Sequence, residues 1–372
     1  MTPVDPVPRL RVLHLILVLR ATNSQYNEHS LPVMEQREIS ICSFFPSELE
    51  VPPEIEVHQG DGTVGGFVRL LRRVIAEGSY DVIHAHSPHT GALLAAVMFV
   101  RPRLAIRERS VFTVHDSFHD FKLRNKLLLL PTFASMRRVV FCSESARGSV
   151  PRWAARLLGD RDRVVRNGVD LDRLDRSVST PVDRAPGSFQ LVSVGRLEPV
   201  KDPLALVEMM ANLPDDMCLT IVGAGSMRAE LEEAIASRGL GARITLSGLV
   251  PREEVYRHLA SADAYVSSSL GEGLPIAVME AMAHEIPVVA SDIEPHRELG
   301  GPPGAFALVP MGDAVGLARA VRELAERSPA SRRELGAGNR SVVTERFGLE
   351  QMTAGYDAVY AEVVPGFATV VS

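Results

Sequence analysis

The chain has 372 residues, which is long for one domain and enough for two that each bury a core. With 46% hydrophobic and 23% charged residues it has the composition of an ordinary globular protein, which excludes a disordered chain, and no apolar stretch reaches the roughly 18 residues of a membrane-spanning helix. The three cysteines (Cys42, Cys142, Cys218) are odd in number and lack metal-type spacing, so a disulfide framework is excluded and a reducing compartment expected. The net charge of −6 is unevenly spread: Val97 to Arg166 holds 15 Lys/Arg against 6 Asp/Glu, a basic zone in an otherwise acidic chain. Such a zone suits an anionic acceptor or an anionic membrane surface, or is simply an arginine-rich solvated face.

The opening MTPVDPVPRLRVLHLILVLR carries no basic flank ahead of its apolar run, and Pro3, Pro6 and Pro8 interrupt it. It reads as a buried first strand and not as a signal peptide, so a cytoplasmic protein is expected. Further strands are expected at REISICSFF, YDVIHAH, SVFTVHD and RRVVFCS, with the helix FVRLLRRVIAEG between the first two. A polar stretch with two prolines, 176–188, is expected to link two domains, the first ending near residue 180. Beyond it come FQLVSVG, CLTIVG, RITLSG, AYVSSS, IPVVAS and AFALVP, with amphipathic stretches such as MRAELEEAIASRG between them, up to about residue 347. Unbroken apolar runs imply strands buried on both faces, and their alternation with helices implies two doubly wound α/β domains. The last segment, 348–372, is expected to form a helix that packs back across the linker.

Two motifs carry chemistry. In Ser268-Ser-Leu-Gly-Glu272-Gly-Leu-Pro-Ile-Ala-Val-Met-Glu280, a strand ends, Glu272 projects from the following loop, and Pro275 is placed for a first helical residue. The amides of Gly273 and Leu274 are expected at the helix start, pointing at negative charge. Glu280 stands alone among apolar neighbours and needs a partner or a ligand; two such carboxylates suit vicinal sugar hydroxyls. In Gly195-Arg-Leu-Glu-Pro-Val-Lys201, Arg196 and Lys201 follow a strand and precede a helix opened by Asp202-Pro203, as suits a diphosphate. Gly223-Ala-Gly225-Ser226 has half of a dinucleotide fingerprint, but Arg228 occupies the third glycine position, so it reads as a tight strand-to-helix turn.

The pair EGLPIAVME and GRLEPVK resembles the retaining glycosyltransferases of family 4, of two-domain GT-B architecture with Rossmann-like halves facing a cleft. The likeness extends to VGAGS, SGLVP, RNGVD, DVIHAHSPHTG and TVHD, covering most of residues 81–300. It implies that Glu272 and the amides after it hold the transferred sugar, Glu280 the ribose, and Arg196 and Lys201 the diphosphate. It places Gly195 and Gly223 beside the donor, and the main chain around Leu249 and Val250 under the base. His115 matches a histidine that contacts the donor sugar from the first domain, while His84 and His86 are read as support for the crevice wall. Family members carry a glycine-rich loop after the first strand; here that loop, ATNSQYNEHS (21–30), has none. Its Asn23, Asn27, Glu28 and His29 are candidates for the acceptor side, unless the loop is only a solvated excursion.

The resemblance implies transfer from a nucleoside-diphosphate sugar with retention, the leaving phosphate taking the acceptor proton and no protein nucleophile. No Asp-x-Asp motif accompanies the donor elements, so neither metal nor cofactor is expected beyond the nucleotide-sugar co-substrate. The acceptor is expected to be a glycan, a lipid-linked sugar or a small molecule, with peripheral contact at an anionic inner membrane face and no nucleic acid. Two rivals stand beside this reading: a sugar-nucleotide epimerase of GT-B architecture, which would need no acceptor, and a degenerate non-catalytic sugar- or partner-binding relative.

Overall fold

The computed structural model describes residues 9–102, 105–177 and 187–366, with only the backbone of Ser24. The core of the expected linker (178–186) and the prolines Pro3, Pro6 and Pro8 lie outside the described residues. Contacts divide the chain into two units, residues 1–166 with 353–372, and residues 167–352. The division thus falls ahead of the compositional break, because the chain from Asn167 onward is tied into the second unit. The Asn167 side-chain amide donates to Leu274 O at 2.9 Å, and Val169 bridges to Gly348.

The first unit is built on a seven-stranded parallel sheet, β1 (Leu10–Ile16), β2 (Arg37–Ser43), β3 (Glu56–Gln59), β4 (Val82–Ala85), β5 (Ser110–Val114), β6 (Arg138–Phe141) and β7 (Asp162–Val164), in the order β3-β2-β1-β4-β5-β6-β7. The unbroken apolar runs are the inner strands, where β1, β4 and β5 are almost wholly buried. Covering helices follow from amphipathic spacing and caps. Thr63 caps the helix Val64–Glu77 by accepting from Gly66 N at 3.0 Å, and Phe67, Leu71, Val74 and Ile75 form its buried face. Ser87 and Thr90 form a reciprocal cap on Pro88–Val100.

The second unit carries six parallel strands, β8 (Phe189–Val194), β9 (Met217–Val222), β10 (Ile244–Gly248), β11 (Ala264–Ser267), β12 (Val288–Ser291) and β13 (Phe306–Val309), in the order β10-β9-β8-β11-β12-β13. Each expected strand of this half is present. In both sheets the order reverses at the first strand, leaving a gap between loops at the carboxyl ends of β1 and β4, and of β8 and β11. In open α/β sheets such a switch point is where ligands bind.

Candidate active site

The switch point of the second unit holds both predicted motifs. The loops after β8 and β11 are fastened together: Leu270 N donates to Val200 O at 2.8 Å, and Ser268 Oγ to Lys201 O and Asp202 O at 3.0 and 2.8 Å. Across that seam Lys201 Nζ meets Glu272 Oε2, and Ser269 Oγ donates to Glu272 Oε1 at 2.7 Å. The Glu272 side chain is 10% exposed and that of Lys201 22%, so the pair sits in a recess that water still reaches. Beneath it Ser291 Oγ donates to Ser269 O, and His296 Nδ1 lies 2.7 Å from Ser291 O. Burial lowers the pKa of His296, which therefore donates from Nδ1 and keeps Nε2 bare.

Other predicted residues fall around this seam. Glu280 is buried in the helix Ile276–Ala283, and the protein gives it partners: Tyr256 OH donates to Oε1 at 3.2 Å, and Arg252 lies 3.4 Å from the same oxygen. Its second oxygen retains acceptor capacity for a further hydroxyl. The helix starts at Ile276, so Pro275 caps it and is not its first helical residue as expected, and Gly273 and Leu274 lie in the loop that leads into it. Arg196 is exposed after β8. Gly223, with φ +143°, packs so closely that a Cβ would strike Gly195 O, and Gly225 lies against Leu197 O in the same way. Leu197 N donates to Ala224 O at 3.0 Å and Met227 N to Leu197 O at 2.9 Å, locking the loops after β8 and β9 together. The glycines of VGAGS therefore serve backbone approach. After β10, Leu249 is 68% exposed and Val250 half-buried.

At the switch point of the first unit the sequence reading assembled too little. His14 on β1, His29 in the loop after it, His84 and His86 at the end of β4, and His115 after β5 form one cluster, ring centroids 4.0 to 6.5 Å apart. His14 Nδ1 lies 2.8 Å from His86 Nε2, and His86 Nδ1 lies 3.1 Å from His115 Nε2. Burial holds all five well below the ordinary histidine range, His115 at about 4 and His14 at about 3, so the rings are neutral. From Tyr26 onward the loop at 21–30 is not a solvated excursion. Asn27, Glu28 and His29 are buried; Asn27 Nδ2 donates to Ala21 O and Asn23 O at 2.7 and 2.9 Å, and Asn23 Oδ1 accepts from Arg20 N. The sequence offers His29 only as a polar residue of that loop; the fold brings its ring to 5.1 Å from that of His86.

Residues 180–342 match the family model described as glycosyl transferases group 1, and residues 50–173 match that of glycosyltransferase family 4. A phosphatidyl-myo-inositol mannosyltransferase of Mycobacterium leprae is 30% identical over 73% of this chain and 71% of its own length. The chain belongs to glycosyltransferase family 4. This glycosyltransferase is also 27% identical to the putative glycosyltransferase EpsD of Bacillus subtilis, over 78% of this chain and 80% of that one. A UDP-Gal:alpha-D-GlcNAc-diphosphoundecaprenol alpha-1,3-galactosyltransferase of Escherichia coli is 28% identical over 60% of each. Among solved structures, the fold matches sucrose-phosphate synthase from Thermosynechococcus elongatus with a TM-score of 0.81, at 20% identity over 95% of this chain and 99% of that one. It matches Anabaena HepE in complex with UDP and glucose at 0.77, with 17% identity over 95% and 100%. The glycosyltransferase therefore has the GT-B fold, two Rossmann-like units with parallel sheets.

Proposed function

We propose that this glycosyltransferase moves a hexosyl group from a nucleoside-diphosphate sugar to a glycan, lipid-linked or small-molecule acceptor, with retention of configuration. The observation that carries the reading is the Lys201–Glu272 pair across the β8–β11 seam. Before donor binds, each charge holds the other. Once a diphosphate arrives, Lys201 turns to its oxygens beside Arg196, and Glu272 is released to accept hydroxyls of the sugar. Glu280, held by Tyr256 and Arg252, offers its remaining oxygen to the ribose; Gly195, Gly223, Leu249 and Val250 line the approach. The acceptor oxygen attacks the anomeric carbon as the bond to the phosphate breaks, and the leaving phosphate takes the acceptor proton. His115 is the first unit's contribution to transfer.

No metal is assigned to the diphosphate. The two Asp-x-Asp triplets of the chain have structural duties: Asp162 pairs with Arg147, and Asp170 Oδ1 caps Arg173 N at 2.8 Å. Added Mg²⁺ is expected to leave the transfer rate unchanged. The named relatives and structures suggest UDP-sugars as first donors and lipid-linked molecules among first acceptors. With a panel of nucleotide sugars, the productive donor should stabilise the protein thermally and be hydrolysed slowly without acceptor. Glu272→Ala and Lys201→Ala should each lower transfer at least about 100-fold, with circular dichroism unchanged. Wild-type rates in both variants would overturn the assignment.

A membrane-side acceptor also has a surface to match. The helices Leu123–Ser135 and Arg152–Leu158 pack together and leave Leu123, Leu127, Trp153 and Leu157 exposed, beside exposed Lys122, Arg124, Arg152 and Arg156. Apolar side chains ringed by cations suit an anionic lipid surface.

A further inference from the structure

Of the histidine cluster of the first unit, the proposed transfer uses only His115, through its contact with the donor sugar, and leaves His14, His29, His84 and His86 without a role. A core histidine is normally satisfied by backbone or hydroxyl partners, and His84 is of that kind: Nε2 lies 2.7 Å from Thr113 Oγ1 and Nδ1 2.8 Å from Tyr360 OH. His86 differs, because both its nitrogens face other imidazoles. His14 Nε2 is buried with no partner among the described residues.

The structure contains two triads whose ligand atoms lie within 4.8 Å of one another, His14/His84/His86 and His29/His86/His115. In the first, His84 has both nitrogens committed and all three rings are sealed from water. In the second, His115 is only partly buried, so this triad is the one nearer to solvent. Nitrogens around a tetrahedral ion at about 2.0–2.1 Å stand roughly 3.4 Å apart. The His86–His115 separation of 3.1 Å is already close to that, and all three ligand atoms lie within 4.8 Å of one another.

We propose that His29, His86 and His115 bind one divalent transition-metal ion of the zinc class, with water in the fourth position. Three imidazoles select zinc, cobalt, nickel or copper over magnesium or calcium, which prefer oxygen ligands. Their neutral state is the ligating one, so binding expels no proton from the rings. With the ion on His86 Nδ1, the Nε2–H of that ring donates to His14 Nδ1, which fixes the tautomer as an outer-shell partner. The ion ties the glycine-free loop that carries His29 to the ends of β4 and β5. All three ligands lie in the first unit, so the proposal does not depend on the donor chemistry of the second.

The test uses the full chain, stripped with chelator and titrated with Co²⁺. One equivalent should bind, with the intense visible bands of tetrahedral cobalt, and Zn²⁺ should abolish them stoichiometrically. X-ray absorption on the zinc form should show nitrogen at about 2.0 Å. The double variant His29→Ala/His115→Ala should lose the bands while keeping native circular dichroism, whereas His58→Ala, outside the cluster, should retain them. If the double variant fails to fold, His29→Gln alone should weaken binding at least tenfold. Absence of a stoichiometric site, six-coordinate spectra, or unchanged binding in His29→Gln and the double variant would each overturn the proposal.

Discussion

At the scale of single residues, the second unit keeps two imidazoles neutral by the same device, that of His296 buried and that of His284 partly so. His284 Nδ1 lies 2.7 Å from Glu280 O, as His296 Nδ1 does from Ser291 O, and the Nε2 atoms of both are buried without a partner among the described residues. Burial lowers both, His284 to about 4. Above the unfolded value near 6.5 neither folded nor unfolded chain is protonated here, and stability is at its full value. Below it the unfolded chain takes protons that the folded chain refuses, so stability falls with pH until His284 titrates. Hydrogen-exchange protection in β8–β13, taken relative to the intrinsic rate at each pH, should therefore fall between pH 7 and pH 5, by up to about 1.4 kcal/mol per pH unit for each histidine. His284→Asn, which can keep the donor to Glu280 O, should flatten the slope; equal protection at both pH values would refute the account. Neither role was legible in sequence, where AHE and PHR are unremarkable triplets.

Elements were legible where burial wrote them into composition. The inner strands show as apolar runs, and Glu272, Glu280, Arg196 and Lys201 could be placed because motif spacing survives without coordinates. The edge strands β3 (EVHQ) and β7 (DRV) escaped, since an edge position lets polar residues face water and erases the pattern. The last helix, Leu349–Ala361, was expected, but its chemistry was not. Tyr360 OH reaches His84, Tyr356 OH lies 3.1 Å from Thr113 Oγ1, Asp357 pairs with Arg37, and Glu362 binds Arg163 at 2.6 Å and Arg138. These bonds close the buried polar layer of the first sheet, and pairing of distant residues leaves no local trace. Truncation after Met352 should unfold the first unit, and Tyr356→Phe/Tyr360→Phe should cost about 2 kcal/mol, because His84 Nδ1 loses its partner and Thr113 Oγ1 one of its two. Trp153, the single tryptophan, reports that unit by fluorescence; an unchanged denaturation midpoint in the double variant would count against the account.

For the whole molecule, the basic zone is less available than its count suggests. Arg138 and Arg163 are bound to Glu362, Arg147 to Asp162, and Arg161 donates to the carbonyls of Phe133, Met136 and Leu158. Among the described residues, Lys122, Arg124, Arg152 and Arg156 stand exposed on or beside the helices that carry Leu127 and Trp153, which sharpens the membrane proposal from a stretch of sequence to one face. Sedimentation with anionic vesicles should fall steeply as salt rises through the physiological range, and Leu127→Glu/Trp153→Glu should abolish it. Binding equal to that of neutral vesicles would sink the idea. The bridge between Val169 and Gly348 has one more implication. Val169 N donates to Phe347 O at 2.8 Å and Leu349 N to Val169 O at 2.9 Å, so the second unit begins and ends at one point. It is a self-contained insert in the gene, portable as residues 167–352, whereas the first unit is split and cannot be copied without its distant tail. Recombination between relatives could therefore exchange the second unit whole in a single genetic event.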